Sequence, residues 1–170
     1  MTLERHRPEK HEFVIARTFA VPREKVWRAF TDPQEMQSWW GPKGSGVIAQ
    51  KMDLRAGGNY HYGLRSPEGQ AMWGKLVYRE VTPPERLVFV NSFSDEQGGL
   101  TRHPMSPTWP LEMLSTVTFT ENNGQSTLTI KWEPIDPTTE ELKTFEEGRD
   151  GMHKGWTGTL DQLDAYLTKM

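Results

Sequence analysis

Residues 59–94, NYHYGLRSPEGQAMWGKLVYREVTPPERLVFVNSFS, decide the fold of this chain. Segments 59–65, 70–81 and 86–94 alternate apolar and polar residues with a period of two, which indicates β-strands that each bury one face. The connections between them, Ser-Pro-Glu-Gly and Thr-Pro-Pro-Glu, are short and consist of turn-forming residues, so consecutive strands must run antiparallel. This stretch therefore predicts three neighbouring strands of an antiparallel sheet.

The same period extends the sheet on both sides of this stretch. Four further strands are predicted at residues 11–20, 47–54, 112–121 and 126–133. Two short helices are predicted between the first and second strands, one beginning at Pro22 and one at the capping-box sequence of residues 32–35. The connection at residues 95–110 is rich in Gly, Pro and polar residues, and its length is typical of a mobile flap.

The C-terminal part of the chain predicts one long helix. Apolar residues recur there at steps of three, four or seven: Leu142, Phe145, Met152, Trp156, Leu160, Leu163 and Leu167. Such a helix would span ~30 residues, or ~45 Å at 1.5 Å per residue. Four glycines, at positions 148, 151, 155 and 158, interrupt its middle, and each costs about 1 kcal/mol of helix propensity. We therefore expect the helix to approach the sheet closely there, or to bend over a hollow.

These elements define the fold class as α+β. A seven-stranded antiparallel sheet with a single apolar face needs a cover, and only the last helix is long enough to provide it. We expect the sheet to curl around that helix and to leave a cavity, because one helix cannot fill a strongly curved sheet. Residues 11–170 are predicted to form a single domain, preceded by a flexible polar arm at residues 1–10.

Composition excludes several classes of protein. The 170 residues carry a formal charge of -3, with 20 basic and 23 acidic side chains, so no electrostatic footprint for nucleic acid is expected. No apolar run approaches the ~18 residues of a membrane span, and the first ten residues do not resemble a secretory signal. The chain has no cysteine, which excludes disulfides and fits a reducing compartment. A cytoplasmic location without membrane contact is therefore predicted.

Four motifs in order resemble the bacterial family of activators of heat-shock protein 90 ATPase. They are Trp-Trp-Gly-Pro at 39–42, Asp-Leu-Arg-Ala-Gly-Gly-Asn-Tyr at 53–60, Pro-Pro-Glu-Arg-Leu-Val-Phe at 83–89 and Gly-Met-His-Lys-Gly-Trp at 151–156. The resemblance covers about residues 11–168 and implies a START-like helix-grip fold with a deep ligand cavity. Chaperone activation by the eukaryotic namesakes depends on a separate N-terminal domain, and we expect no counterpart within residues 1–10.

Twelve residues are predicted to line the cavity and contact a ligand. All but two are aromatic: Trp39, Trp40, Tyr60, Tyr62, Trp73, Phe89, Asn91, Phe93, Phe119, Trp132, Met152 and Trp156. Asn91 differs because an amide buried between two phenylalanines of the same strand face needs a hydrogen-bond partner, which a ligand, water or backbone would supply. The aromatic residues also fit a filled core, in which Trp39 and Trp40 close one end of the sheet, and the sequence leaves this alternative open.

Strand 59–65 has two registers with different consequences. With Tyr60 and Tyr62 inward, two phenol hydroxyls enter the cavity, and this register buries more apolar area. In the opposite register His61 and Arg65 enter instead. Together with Glu80, these two residues are the candidate ionisable groups of the cavity.

Three hypotheses for function follow. The first is binding of a small apolar or aromatic molecule in the cavity, and the second is a chaperone-associated module that binds a heat-shock protein 90 homologue. The third is a cyclase- or hydrolase-like enzyme that uses the same cavity. The sequence holds no nucleophile elbow, phosphate loop or dinucleotide motif, and its histidines lack metal-ligand spacing. We therefore predict no catalytic residue, metal or cofactor, and a monomer or weak homodimer.

Overall fold

The computed structural model describes residues 11–169, and the predicted arm at residues 1–10 lies outside the described residues. Its elements are β1 Phe13–Phe19, α1 Arg23–Thr31, α2 Pro33–Met36, β2 Gly46–Met52, β3 Asn59–Arg65, β4 Ala71–Thr82, β5 Arg86–Ser94, β6 Leu100–Thr101, β7 Met113–Asn122, β8 Gln125–Pro134, α3 Thr139–Glu147 and α4 Arg149–Lys169. All seven predicted strands are present. The α+β class is therefore confirmed, as are the two short helices after the first strand.

The strands form one antiparallel sheet in the order β1-β8-β7-β5-β4-β3-β2. β6 is an eighth, very short strand that lies within the predicted flap and pairs with the end of β5. Cross-strand pairs place Tyr62 opposite Gly74 and Leu76 opposite Asn91 on the face that points toward the helices. This concave face carries most of the buried side chains, because alternate residues of a strand point to opposite sides.

The C-terminal helical pattern differs from the prediction in one respect. In place of one helix of ~30 residues, the chain forms α3 and α4, which meet at Gly148. Gly148 has φ -89° and ψ 6°, outside the helical region, and a Cβ there would lie 3.1 Å from the ring of Trp109. A capping box between Thr138 and Glu141 begins α3. The break therefore occurs where the connection after β6 packs closely against the helix.

One end of the interior is filled. α1, α2 and the second half of α4 pack there on the concave sheet, and the buried side chains include Phe30, Trp39, Phe119, Leu160 and Leu163. Ring centroids of Phe30 lie 4.7 Å from Trp39 and 5.7 Å from Phe119. This end forms the hydrophobic core that holds α4 on the sheet.

Candidate functional site

The other end of the interior contains a partly open cavity of about 690 Å³ between the concave sheet, the first half of α4 and residues 103–111. Cavities of ~300–1,000 Å³ are typical of sites for small organic molecules. Aromatic side chains dominate the wall, and they come from β3, β5, β8, α4, the turn after α2 and the connection after β6.

Glycines of the helical region form one side of the cavity. Gly148, Gly151, Gly155 and Thr159 follow one another at steps of three or four, and all four line the hollow. A Cβ placed on Gly151 or Gly155 would meet no atom within 4 Å. The hollow therefore exists partly because α4 carries no side chain at Gly151 and Gly155, and these glycines, which lower helix propensity, leave it open.

Two glycine–aromatic pairs shape the neighbouring part of the sheet. The ring of Tyr62 lies over Gly74 on the concave face, where an added Cβ would be 2.5 Å from the phenol oxygen. The ring of Trp73 lies over Gly63 on the opposite face, where an added Cβ would be 2.7 Å from it. Aromatic rings that cover cross-strand glycines in this way fix the register of the sheet. Tyr62 consequently lies close to the sheet and leaves the space above it open.

The aromatic wall is a connected series of edge-to-face contacts. The ring centroid of Trp40 lies 5.7 Å from Tyr62 and 6.2 Å from Trp156, and Trp156 lies 5.8 Å from Trp132. These distances and tilts match the preferred geometry of aromatic pairs, each worth ~0.5–1.5 kcal/mol beyond area burial. The wall therefore offers ring faces held by their neighbours.

Asn91 and Trp40 each bring to this wall an N–H group without a protein partner in the described part of the chain. Asn91 Oδ1 accepts a short hydrogen bond from the hydroxyl of Ser115, which is fully buried. That bond directs the amide oxygen to β7, and no hydrogen bond from the amide nitrogen is present within residues 11–169. The indole Nε1–H of Trp40 is also buried without a partner among the described residues. An unpaired buried donor costs ~1–3 kcal/mol, so the Trp40 indole favours a guest with an acceptor, and the half-buried Asn91 amide nitrogen is a further donor beside the guest.

The phenol of Tyr62 is held in its neutral form. Burial raises the pKa of Tyr62 to about 12, and the nearby side chain of Trp40 partly opposes this rise. The two side chains do not reach hydrogen-bond geometry, because the Trp40 N–H has no bonded acceptor. The indole N–H therefore remains available to a guest.

His103 brings an imidazole to the cavity wall. Its ring centroid lies 4.6 Å from Phe93, and its Nδ1 accepts a hydrogen bond of 3.0 Å from the backbone N–H of Met105. This bond assigns the neutral proton to Nε2. Burial lowers the pKa of His103, which further favours the neutral ring.

The connection after β6 is fastened to α3. Arg102 Nη1 donates to Glu141 Oε2 at 2.6 Å, and the hydroxyl oxygens of Thr108 and Thr144 lie 2.8 Å apart. The ring of Trp109 also lies 5.9 Å from that of Phe145. We call residues 102–111 the lid, because these contacts hold the segment over the end of the cavity.

Nine of the twelve predicted residues lie at the cavity: Trp40, Tyr62, Trp73, Phe89, Asn91, Phe93, Trp132, Met152 and Trp156. Trp73 is at the border of the cavity, but its ring lies on the opposite face of the sheet and stacks on His61. The other three, Trp39, Tyr60 and Phe119, belong to the filled core. Whether any of these residues contacts a ligand stays a prediction.

Trp39 and Tyr60 are fully partnered inside the core. The indole of Trp39 donates to the carbonyl oxygen of Ala29 at 3.0 Å, and the hydroxyl of Tyr60 donates to Gln50 Oε1 at 2.8 Å. Phe119 packs edge-on against Trp27 and Phe30. These contacts show that this end of the sheet is a filled core, one of the two alternatives that the sequence did not decide.

The three candidate ionisable groups lie outside the cavity. β3 points its tyrosines inward, so His61 is on the convex face, and Arg65 is exposed and donates to the carbonyl oxygen of Gly69 at 2.9 Å. Glu80 is on the far part of β4, where it accepts hydrogen bonds from Thr82 and Arg86. The bond from Thr82, followed by those with Arg86, lowers the pKa of this carboxylate. The ionisable groups that do border the cavity are Tyr62, His103 and Glu147.

Several lining residues were not among the sequence candidates. His103, Trp109 and Met113 lie at the cavity wall, but the first two belong to an irregular segment whose composition gives no periodicity to interpret. The glycine face of α4 could have been found, since its members recur at helical spacing. Met113 shares a strand face with Ser115 and Val117, so its inward direction was also visible in the pattern.

The sheet that curls around a long C-terminal helix, with two short helices after β1, defines the helix-grip class of protein. Within that class, residues 20–168 match the sequence profile of the family described as "Activator of Hsp90 ATPase homolog 1-like protein". The chain belongs to this family.

Solved structures are similar over nearly the whole chain. A protein from Mycobacterium smegmatis is 25% identical with a TM-score of 0.77, covering 97% of this chain and 95% of that one. One from Nitrosomonas europaea is 26% identical with a TM-score of 0.74, covering 94% and 96%. The AHSA1 protein from Silicibacter pomeroyi is 24% identical with a TM-score of 0.70, covering 92% and 97%, and shows the fold alone. No curated protein matches this chain.

Two features are absent from residues 11–169. No helix there is long and apolar enough to cross a membrane. No group of three or more His, Cys, Asp or Glu side chains is arranged to hold a metal ion in this part of the chain.

Proposed function

We propose that this protein binds a small apolar or aromatic molecule in the cavity between the sheet and α4. The observation that carries the proposal is a hollow of about 690 Å³ with an aromatic wall, next to a core that is otherwise filled. Protein interiors normally pack as densely as organic crystals. A hollow of this size, kept open by glycines and partly open to solvent, is what a binding site requires.

The glycines strengthen the argument because no neighbour demands them. A Cβ at Gly151 or Gly155 meets no atom within 4 Å, and alanine would favour the helix by about 1 kcal/mol at each position. Steric crowding therefore does not explain these two residues. The need to accommodate a guest explains them, because side chains at these positions would occupy the space of the guest.

A fluorescence titration tests the proposal. N-phenyl-1-naphthylamine, an uncharged dye that brightens in apolar surroundings, is expected to bind and to quench the tryptophans of the wall. Gly155→Leu is expected to weaken binding at least tenfold, because its side chain enters the cavity. His153→Leu adds the same group to the exposed face of α4 and is expected to bind like the parent. Binding weaker than about 100 μM, which corresponds to about -5.5 kcal/mol, would contradict the proposal.

Family membership supports a second proposal, that the protein assists an Hsp90 homologue. The support is the description of the family. The test is the ATPase rate of a bacterial Hsp90 homologue at saturating protein, with pull-down of the complex beside it. An unchanged rate and no complex would remove this function and leave the cavity proposal intact.

A further inference from the structure

We propose that the guest of this cavity is an uncharged, flat aromatic molecule that carries a hydrogen-bond acceptor. This inference rests on the proposed binding function and adds the class of ligand. Three properties of the wall lead to it: its charge, its unpaired donors and the form of its apolar surface.

The part of the wall formed by residues 11–169 contains no lysine or arginine side chain. Neither Lys nor Arg is among the cavity-lining residues within 11–169. Arg102 and Arg149, which flank the lining segments, are paired with Glu141 and Glu146. A buried carboxylate or sulfonate would therefore lack a counter-charge, and an unpaired buried charge costs several kcal/mol. An anionic guest is disfavoured.

A cationic guest is disfavoured by the polar groups that the wall does offer. The Asn91 amide N–H and the Trp40 indole N–H are unpartnered donors, and both would face a cation with their positive ends. The carboxylate that borders the cavity, Glu147, is exposed at its edge and not inside it. A neutral acceptor such as a carbonyl or ring nitrogen satisfies the two donors without bringing in a charge.

The apolar surface favours flat molecules. Trp40, Tyr62, Trp132 and Trp156 hold one another edge-to-face, so each ring keeps a fixed direction. Planar guests gain most from such rings, because stacked and edge-to-face aromatic contacts need a flat partner. The flexible side chains of Met72, Met113 and Met152 complete the wall and adjust to the outline of the guest.

A matched pair of dyes tests the charge of the guest. 8-Anilinonaphthalene-1-sulfonate has the rings of N-phenyl-1-naphthylamine plus one sulfonate. Both titrations are made in 0.3 M NaCl, which screens the net charge of the protein. We expect the sulfonate to bind at least tenfold more weakly than N-phenyl-1-naphthylamine, a difference of about 1.4 kcal/mol. Gly155→Leu identifies the signal that comes from the cavity. Equal or tighter cavity binding of the sulfonate overturns the inference while the proposed function stands, whereas failure of both dyes to bind overturns both.

A second pair tests the acceptor. 2-Acetylnaphthalene and 2-ethylnaphthalene differ by a carbonyl oxygen, and each is titrated as a competitor of N-phenyl-1-naphthylamine. We expect the ketone to bind at least fivefold more tightly after correction for its lower partitioning into apolar solvent. Asn91→Leu is expected to remove this preference, and Trp40→Phe to reduce it. Trp40→Phe also serves if Asn91→Leu does not fold.

Two results would contradict the inference that the guest carries an acceptor or that it is uncharged. The first is equal binding of the ketone and the hydrocarbon to the unaltered protein. The second is tighter binding of N,N,N-trimethyl-2-naphthylammonium than of the ketone, which would assign a cationic guest.

Discussion

The two halves of α4 perform different tasks on the same sheet. In the second half, Leu160 and Leu163 are fully buried and Leu167 nearly so. In the first half, Gly151 and Gly155 face a hollow that a side chain could enter without obstruction. The first half of α4 therefore has lower helix propensity and poorer side-chain packing than the second half. A loss of stability confined to the edge of a cavity is the usual sign of a compromise with function.

The largest expected effect lies in the packed half. Leu163→Ala removes a fully buried side chain of the core and is expected to lower the free energy of unfolding by ~2–5 kcal/mol. Urea denaturation measures it. We expect the folded fraction still to bind N-phenyl-1-naphthylamine, because Leu163 does not line the cavity. A loss below about 1 kcal/mol would show that this half is no better packed than the other.

The next effect lies in the sheet beneath the hollow. Gly74→Ala places a Cβ 2.5 Å from the phenol oxygen of Tyr62, so the ring must move into the cavity at a cost of ~1–3 kcal/mol. Dye affinity should fall with stability. Combining the change with Tyr62→Leu should recover part of both losses, and a double-mutant cycle measures the coupling. Additive losses would mean that Tyr62 does not depend on Gly74 for its position.

Alanine at the glycines in the first half of α4 should raise stability instead of lowering it. Gly151→Ala and Gly155→Ala are each expected to stabilise the protein by about 1 kcal/mol, because the helix gains propensity and no clash arises. Both should weaken dye binding, since the methyl groups occupy cavity space. Thermal unfolding and the titration are measured on the same samples. A destabilised variant would indicate that the glycines are needed for the fold, which would remove the contrast between the two halves.

The lid should respond to acid. A hydrogen bond from the backbone N–H of Thr138, followed by one from Arg102, lowers the pKa of Glu141. The stabilisation from this carboxylate is therefore complete above the ordinary glutamate pKa of about 4.3 and is lost as pH falls through the lower folded value. We expect the melting temperature to fall more steeply in the parent than in Glu141→Gln below pH 5.

The acid response has two checks. At pH 7 Glu141→Gln should cost about 0.5–1 kcal/mol, because Arg102 is half exposed and its ion pair is weak. Identical pH profiles for parent and variant would mean that the carboxylate does not hold the lid to α3.

A comparably small effect concerns two buried tyrosines. The hydroxyl of Tyr78 has no partner among the described residues, whereas that of Tyr60 donates to Gln50. Burial raises the pKa of both phenols. Tyr78→Phe should leave stability unchanged or raise it by up to about 1 kcal/mol, and Tyr60→Phe should lower it by about 1 kcal/mol. The reverse order would show that the Tyr78 hydroxyl is bonded after all.

Sequence patterns predicted the fold better than the site. Period-two alternation placed every main strand, because burial of one sheet face leaves a mark on each residue. The cavity is unfilled space, which no residue pattern records directly. The same spacing of aromatic residues fits a ring packed in the core, as at Trp39, and a ring at the cavity wall, as at Trp40. The lid residues His103 and Trp109 have no period, because contacts with α3 and β5 position them. Tertiary contacts of that kind cannot be inferred from local sequence.

The uneven composition of α4 also predicts how the molecule opens. A helix with glycines in its first turns and leucines in its last has a gradient of local stability along its length. Amide hydrogens of residues 152–157 should exchange with solvent by local fraying, while those of residues 160–167 exchange only when the whole domain unfolds. Fraying of the first half would expose the cavity, so we expect this segment, together with the lid, to set the rate at which the proposed guest enters and leaves. We expect a bound guest to slow that fraying, so amide exchange in the first half of α4 should report whether the cavity is occupied.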